Sequence, residues 1–211
     1  MVRRGEYLER MVVIRSGELH LEGLYHRGKL LPPAVIAAPH PQQGGSMDSP
    51  VVAELAWAVT RAGHPTLRFN YRGVGASEGS WSGGSGELDD LSAAVDSLRE
   101  TTGALRVAVA GYSFGAWAAI EVARRRGDLD PLLLVAPPTE GFDLSGLPDL
   151  EARVLVVHGS RDPLVDGAAL DRLLAPLGER GRRVAIPEAD HWFVEGLAAV
   201  GREAVAFLSL A

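Results

Sequence analysis

Short apolar segments alternate with longer helical patterns along most of this chain, and this alternation restricts its fold more than any other feature. Several of the apolar segments, such as residues 35–38 and 154–157, are continuous rather than alternating. Strands that are apolar on both faces belong in a sheet that is covered by helices on both sides. The pattern therefore predicts an α/β fold with a mostly parallel sheet and right-handed crossovers.

The same pattern sets the expected element bounds. The predicted strands are residues 11–15, 19–25, 34–38, 66–70, 105–110, 132–136, 153–158 and 183–186. The predicted helices are residues 50–62, 87–100, 114–125 and 192–208. Because only Ser16-Gly17-Glu18 joins the first two strands, these should form an antiparallel hairpin at one edge of the sheet. The pattern thus predicts eight strands, with helices covering both faces of the sheet.

Composition limits the class of protein. A length of 211 residues with 46% hydrophobic residues is typical of a globular domain, so we expect a single domain over residues 1–211. The 21 Lys and Arg against 27 Asp and Glu give a net charge of −6, which disfavours nucleic-acid and membrane partners. The absence of cysteine excludes disulfides and thiolate chemistry. No apolar segment is long enough to span a bilayer and no secretory signal is visible, so we expect a cytoplasmic protein.

A Gly-x-Ser-x-Gly pentapeptide, Gly111 to Gly115, follows the fifth predicted strand and opens a helix. A sharp turn from strand to helix places its serine in a strained backbone conformation, and side chains at the flanking positions would collide with neighbouring backbone. The Ser113 hydroxyl should therefore project above the sheet at a helix N-terminus. The alternative is a glycine-rich turn whose serine only caps the helix.

The order of the remaining polar residues supports a catalytic interpretation. Asp162 follows the seventh strand and His191 follows the eighth, so Ser113, Asp162 and His191 lie beyond strand ends on one edge of the sheet. A serine hydroxyl needs an imidazole to take its proton and a carboxylate to orient that imidazole. Asp166 is an alternative acid slightly further along the loop. Asp190 is a weaker alternative, because it adjoins His191 in sequence.

Two further segments complete a resemblance to a known family. Residues 39–45, PHPQQGG, follow the third strand, and residues 67–79, LRFNYRGVGASEG, include and follow the fourth. With the three segments above, these resemble the α/β-hydrolase superfamily, most of all its small, lidless bacterial serine hydrolases and carboxylesterases. The resemblance covers nearly the whole chain. It implies an eight-stranded sheet whose second strand is antiparallel. It also implies that Ser113 is the nucleophile, His191 the general base and then acid, and Asp162 the partner that orients His191.

The resemblance also implies an oxyanion hole formed by the backbone N–H of Phe114 and by one N–H from the loop after the third strand. Gln42 is the expected second donor because Pro41 has no N–H, and Gln43 is the alternative. His40 lies between two prolines, where lipases carry a glycine-rich motif, and should shape this loop. We expect Tyr112, His40 and Gln43 to contact the substrate.

The expected reaction follows from the size of one connection. Residues 137–152, between the sixth and seventh strands, are too few to build the cap domain that many relatives insert there. An open site favours small or short-chain carboxylic esters, hydrolysed through an acyl-enzyme intermediate without metal or cofactor. Thioesterase, amidase or acyltransferase activity would use the same triad. A non-catalytic binding module of the same fold is the remaining alternative.

Overall fold

An eight-stranded sheet forms the centre of the structure, a computed structural model that describes residues 9–209. The strands are β1 (Arg10–Ser16), β2 (Leu19–His26), β3 (Ala34–Ala37), β4 (Thr66–Phe69), β5 (Val107–Tyr112), β6 (Leu129–Val135), β7 (Val154–Gly159) and β8 (Gly181–Ile186). Each predicted strand is present, with ends that differ by up to three residues from the predicted bounds. Every residue of β3, β5 and β7 is buried, as expected for strands covered on both faces.

The strand order is β1-β2-β4-β3-β5-β6-β7-β8. Strand β2 runs antiparallel to both of its neighbours, β1 and β4, and the other pairs are parallel. The predicted N-terminal hairpin and the antiparallel second strand are therefore confirmed. Because β3 to β8 are parallel, the segments that follow them emerge at one edge of the sheet.

Helices pack on both faces of this sheet. They are α1 (Pro50–Ala62), α2 (Ser85–Thr102), α3 (Phe114–Arg125), α4 (Gly167–Leu174) and α5 (Leu197–Leu208). Helices α1 and α5 pack together on one face, and α2 and α3 pack together on the other. Helix α1 starts with Pro50 at its first position and ends at Gly63, whose φ of 105° gives the left-handed turn that stops a helix.

Two elements differ from the expected bounds. Helix α4 was not predicted, because it is short and buries only Leu170 and Leu174, which leaves little periodic signal. Helix α5 begins at Leu197 rather than at residue 192. Gly196, with a φ of 84°, precedes it, and the segment between β8 and Gly196 remains a loop. This loop carries His191, so the difference in bounds affects the candidate site.

Two kinds of feature are missing from residues 9–209. No helix there is long and apolar enough to cross a membrane. No group of three or more His, Cys, Asp or Glu side chains in the same residues is placed to hold a metal ion. The connection between β6 and β7 contains a single short helical turn, Leu147–Asp149.

Candidate active site

Ser113 occupies the sharp turn from β5 into α3. Its φ of 54° and ψ of −115° lie in a region that residues other than glycine rarely adopt. A side chain at Gly111 would overlap the carbonyl group of Gly115, and one at Gly115 would collide with the backbone of Ala37. The two glycines of the pentapeptide therefore allow a turn that leaves the Ser113 hydroxyl at the carboxyl edge of the sheet.

Ser113, His191 and Asp162 form a continuous chain of hydrogen bonds. Nε2 of His191 lies 3.1 Å from Oγ of Ser113, and Nδ1 of His191 lies 2.8 Å from Oδ2 of Asp162. The carboxylate is fully buried and the imidazole is 6% exposed. A carboxylate at Nδ1 places the ring proton there and leaves Nε2 free to accept a proton from the hydroxyl.

The two alternative acids have other partners. Asp166 is exposed and caps α4, where its carboxylate accepts a hydrogen bond of 2.8 Å from the N–H of Ala168. The carboxylate of Asp190 accepts a bond of 3.2 Å from the N–H of Val194. The carboxylate that contacts the His191 ring is that of Asp162.

The loops that carry Asp162 and His191 are in direct contact. The N–H of Arg161 donates to the carbonyl of Ala189 over 2.9 Å, and the N–H of Glu188 donates to Oγ of Ser160 over 2.9 Å. A side chain at Gly159 would overlap the carbonyl of Ala189. These loops therefore approach closely because residue 159 has no Cβ.

The two expected oxyanion donors differ in their availability. Phe114 is the first residue of α3, and a first-turn N–H has no acceptor within its own helix. The N–H of Gln42 instead donates to Nδ1 of His40 over 3.2 Å, because His40 caps the helical turn Pro41–Gln43. The N–H of Gln42 thus has an acceptor within the loop, and Gln42 as the second oxyanion donor stays a prediction. The N–H of Gln43 donates to the carbonyl of His40 over 3.0 Å.

An open cavity of about 250 Å³ lies beside Ser113 and His191. Three expected contact residues, Tyr112, His40 and Gln43, line it. Gln42 lies instead against a neighbouring hollow with Arg72 and Trp81. The remaining wall of the first cavity is formed by Pro39, Gly44, Gly45, Ser49, Pro50, Val51, Leu164 and Trp192. The cavity therefore has a mainly apolar wall and reaches the hydroxyl.

His40 is held by aromatic side chains from separate segments. The centroid of its ring lies 4.7 Å from the ring centroid of Trp81, 5.2 Å from that of Phe114 and 6.4 Å from that of Phe142. Burial lowers the pKa of His40, and the negative charge of Glu87 opposes this shift. A neutral ring can accept the Gln42 N–H at Nδ1. Sequence reasoning missed this aromatic cluster, because its members lie far apart in the chain and carry no shared motif.

The fold and this arrangement are those of the α/β-hydrolase superfamily, and the chain belongs to it. The family of serine aminopeptidases, S33, matches residues 42–144. An uncharacterized protein of Rickettsia prowazekii is 30% identical over 193 aligned residues, and the alignment covers 86% of this chain and 81% of that protein. The resemblance seen in the motifs is confirmed at the level of the superfamily.

Solved structures of similar size share the whole fold. A protein of unknown function from Agrobacterium tumefaciens, described as a putative α/β hydrolase, is 30% identical with a TM-score of 0.85, covering 96% of this chain and 95% of its own. A serine hydrolase without a lid from Xanthomonas campestris is 27% identical with a TM-score of 0.84, covering 97% and 95%. The chain is thus similar over nearly its full length to a serine hydrolase that lacks a lid.

Proposed function

We propose that this protein is a serine hydrolase that cleaves small or short-chain carboxylic esters through an acyl-enzyme intermediate. The observation that carries the proposal is the hydrogen-bonded chain from Ser113 through His191 to Asp162. A protein that only bound ligands would have no chemical need for a buried carboxylate, an imidazole and a strained serine in this order.

In the first half-reaction, Oγ of Ser113 attacks the ester carbonyl carbon while Nε2 of His191 takes the hydroxyl proton. The resulting imidazolium is stabilised by the Asp162 carboxylate at Nδ1. The tetrahedral intermediate then collapses, the bond to the alcohol oxygen breaks, and His191 returns the proton to that oxygen. In the second half-reaction, water attacks the acyl-enzyme in the same way and releases the acid and the free serine.

The negative oxygen of each tetrahedral intermediate needs hydrogen-bond donors that are already in place. The N–H of Phe114 is the first donor, because it follows Ser113 directly and starts α3. The loop after β3 supplies the second, and Gln43 is the glutamine of that loop that lines the cavity. Its N–H would have to leave the carbonyl of His40, or share it, to bind an oxyanion.

The size of the cavity sets the proposed substrate class. A volume of about 250 Å³ is slightly below the roughly 300–1,000 Å³ of pockets that hold drug-sized ligands. The connection between β6 and β7, where a lid would extend the apolar wall, is short. Small acyl groups therefore fit better than long chains. The triad and the oxyanion donors supply the required groups, so we propose that the reaction needs neither metal nor cofactor.

The most direct test is labelling with a fluorophosphonate, followed by peptide mass mapping. We expect one adduct, on Ser113, and no adduct in a Ser113→Ala variant. That variant should lose turnover by about 10⁶-fold while it remains folded. Ser85→Ala, at an exposed serine that starts α2, is the control and should react as the wild type does. A folded wild-type protein that fails to react would support the binding module instead.

The substrate class is tested with nitrophenyl esters of increasing acyl length, together with matched thioester and amide substrates. We expect kcat/KM to be greatest for short acyl chains and for esters. A maximum beyond about ten carbons would contradict the argument from cavity size. A greater kcat/KM for amides or thioesters would be consistent with the same catalytic triad, but would contradict the assignment of esters as the substrate class.

A further inference from the structure

Tyr112 makes a contact that its expected role as a substrate-binding residue does not explain. Its hydroxyl donates a hydrogen bond of 2.9 Å to the backbone carbonyl of His191, which is 79 positions away in the chain. The side chain is buried, with 5% of the residue exposed. We propose that Tyr112 is a positioning residue that holds the backbone of the general base in register with the nucleophile. This inference rests on the proposed function.

The loop that carries His191 requires such support. His191 lies between β8 and α5, outside both elements. Two residues of this loop, Glu188 with a φ of 61° and Phe193 with a φ of 53°, adopt left-handed backbone conformations. These conformations are costly for residues with a side chain, and they persist only where surrounding contacts impose them. Contacts from outside the loop therefore help to set the position of His191.

Tyr112 and Asp162 support different parts of His191. Asp162 contacts the ring at Nδ1 and so fixes its orientation. The Tyr112 hydroxyl contacts the main-chain carbonyl, and its ring lies 5.6 Å from the His191 ring and 6.5 Å from the Phe193 ring, measured between centroids. The backbone and the side chain of the base are thus held by two separate groups.

The place of Tyr112 in the sequence gives this contact its significance. Tyr112 directly precedes Ser113 at the end of β5. The residue that holds the base is therefore covalently joined to the nucleophile. The distance of 3.1 Å between Nε2 of His191 and Oγ of Ser113 thus depends on one peptide bond and one hydrogen bond from the Tyr112 hydroxyl. Burial raises the pKa of the Tyr112 hydroxyl, with the charge of Asp162 acting in the same direction. The hydroxyl consequently remains protonated and able to donate.

The test is Tyr112→Phe, which removes the hydroxyl and keeps the ring. Small misplacements of a catalytic group reduce the rate of the chemical step, so we expect kcat for a short nitrophenyl ester to fall about tenfold, with KM within about twofold. Tyr71→Phe is the matched control. Tyr71 is also buried, and its hydroxyl has no hydrogen-bond partner among residues 9–209, so its removal should leave kcat unchanged.

A spectroscopic readout separates positioning from substrate contact. With histidine labelled at Cε1, the His191 resonance should shift or broaden in Tyr112→Phe and remain in place in Tyr71→Phe. An unchanged resonance together with unchanged kcat would overturn the proposal. A rise in KM with kcat and the resonance unchanged would also overturn it, and would return Tyr112 to substrate binding.

The two proposals can fail separately. If the wild-type protein hydrolyses no ester and resists fluorophosphonate, the proposed function fails, and the resonance of His191 still shows whether Tyr112 holds that residue. If Tyr112→Phe unfolds, Tyr112→Met, whose flexible apolar side chain can adapt to the site and also lacks a hydroxyl, is measured in its place. It should show the same loss of kcat and the same shift of the His191 resonance.

Discussion

Asp162 and Asp90 are two carboxylates whose side chains are completely buried, and they have opposite kinds of partner. Asp90, on α2, accepts bonds from the guanidinium of Arg72 at 2.7 and 3.0 Å, from the backbone N–H of Arg72 at 3.0 Å and from Oγ of Ser16 at 2.7 Å. Its negative charge is balanced by a permanent positive charge. The carboxylate of Asp162 accepts from Nδ1 of His191 and from the N–H of Leu164, at 2.8 and 2.9 Å.

The difference shows that a buried carboxylate can have either a structural or a proposed catalytic role in the same protein. The Asp90 pair is complete in the resting state, so it joins α2 to the segment after β4 and to β1. The charge of Asp162 faces an imidazole that becomes positive only while the proposed reaction proceeds. A buried carboxylate without a permanent counter-charge is typical of a functional site, whereas one with an arginine partner is typical of a structural site.

Among the variants that test this contrast, Asp162→Asn should have the largest effect. The amide cannot stabilise an imidazolium and can favour the wrong ring tautomer, so kcat should fall by about 10⁴-fold. The free energy of unfolding should change by only about 1 kcal/mol, because the shape of the side chain is kept. Steady-state hydrolysis of a short nitrophenyl ester and urea unfolding of the same samples measure the two quantities.

Asp166→Asn is the control for this prediction. Asparagine caps a helix about as well as aspartate, so both kcat and stability should remain close to the wild type. If Asp166→Asn lost as much kcat as Asp162→Asn, Asp162 would not be the sole acid partner of His191. That result would mean that the acid partner of His191 changes during the reaction.

The second effect should come from Asp90→Asn, and it should appear in stability. Removing the charge leaves the Arg72 guanidinium, which is 16% exposed, without its counter-ion. Breaking a buried pair in this way costs about 3 kcal/mol, while kcat per folded molecule should remain within about twofold. The exposed neighbour Asp89 supplies the control, Asp89→Asn. A large loss of kcat in a folded Asp90→Asn protein would erase the distinction between the two carboxylates.

The sequence predicts one of these carboxylates and not the other, for a physical reason. Asp162 directly follows a buried strand, and the ends of parallel strands meet at one edge, so its place relative to Ser113 and His191 follows from local patterns. Asp90 lies beside the apolar stripe of an amphipathic helix, where a solvated carboxylate is the ordinary expectation. Its partners, Arg72 and Ser16, lie 18 and 74 residues away, and no local pattern connects them.

The loops of the site also contain features that the sequence does not predict, because those features depend on contacts between distant segments. The turn at Ser113 is predictable, because its two glycines each lie only two residues from the strained serine. The N–H of Gln42 is used by the His40 ring, and the orientation of that ring depends on Trp81 and Phe142 from other segments. Helix α5 starts at Leu197 rather than at residue 192, because the left-handed backbone of Gly196 directly precedes it. Contacts between segments decided these details.

The third prediction extends the contrast to two buried histidines. Nδ1 of His191 faces a carboxylate, whereas Nε2 of His158 accepts a bond of 2.8 Å from the guanidinium of Arg183. Burial lowers the pKa of His158, and the positive charge of Arg183 adds to this, while the carbonyl of Gly159 and the negative charges of Asp162 and Asp171 act in the opposite direction. The folded protein therefore resists protonation of His158 more than the unfolded chain does.

It follows that the unfolded state binds the proton first as pH falls below about 6.5. The free energy of unfolding should then decrease by up to about 1.4 kcal/mol per pH unit on account of His158. The variant His158→Gln should show a flatter dependence between pH 7 and 5, measured by urea unfolding at each pH. Above about pH 7.5 the two curves should run parallel. Parallel curves over the whole range would mean that burial and Arg183 do not lower the pKa of His158 in the folded protein.

The smallest effect should come from Arg161→Gln. Arg161 and Glu188 form an ion pair between the loops that carry Asp162 and His191, but both side chains are largely exposed. Exposed pairs contribute less than about 1 kcal/mol, and the backbone bond from Arg161 to Ala189 persists in the variant. We therefore expect a change in unfolding free energy below about 0.5 kcal/mol, and a kcat within about twofold of the wild-type value.

Because salt screens exposed charges, 1 M NaCl should reduce even this difference in unfolding free energy. A tenfold fall in kcat would show instead that a surface pair helps to place the buried base.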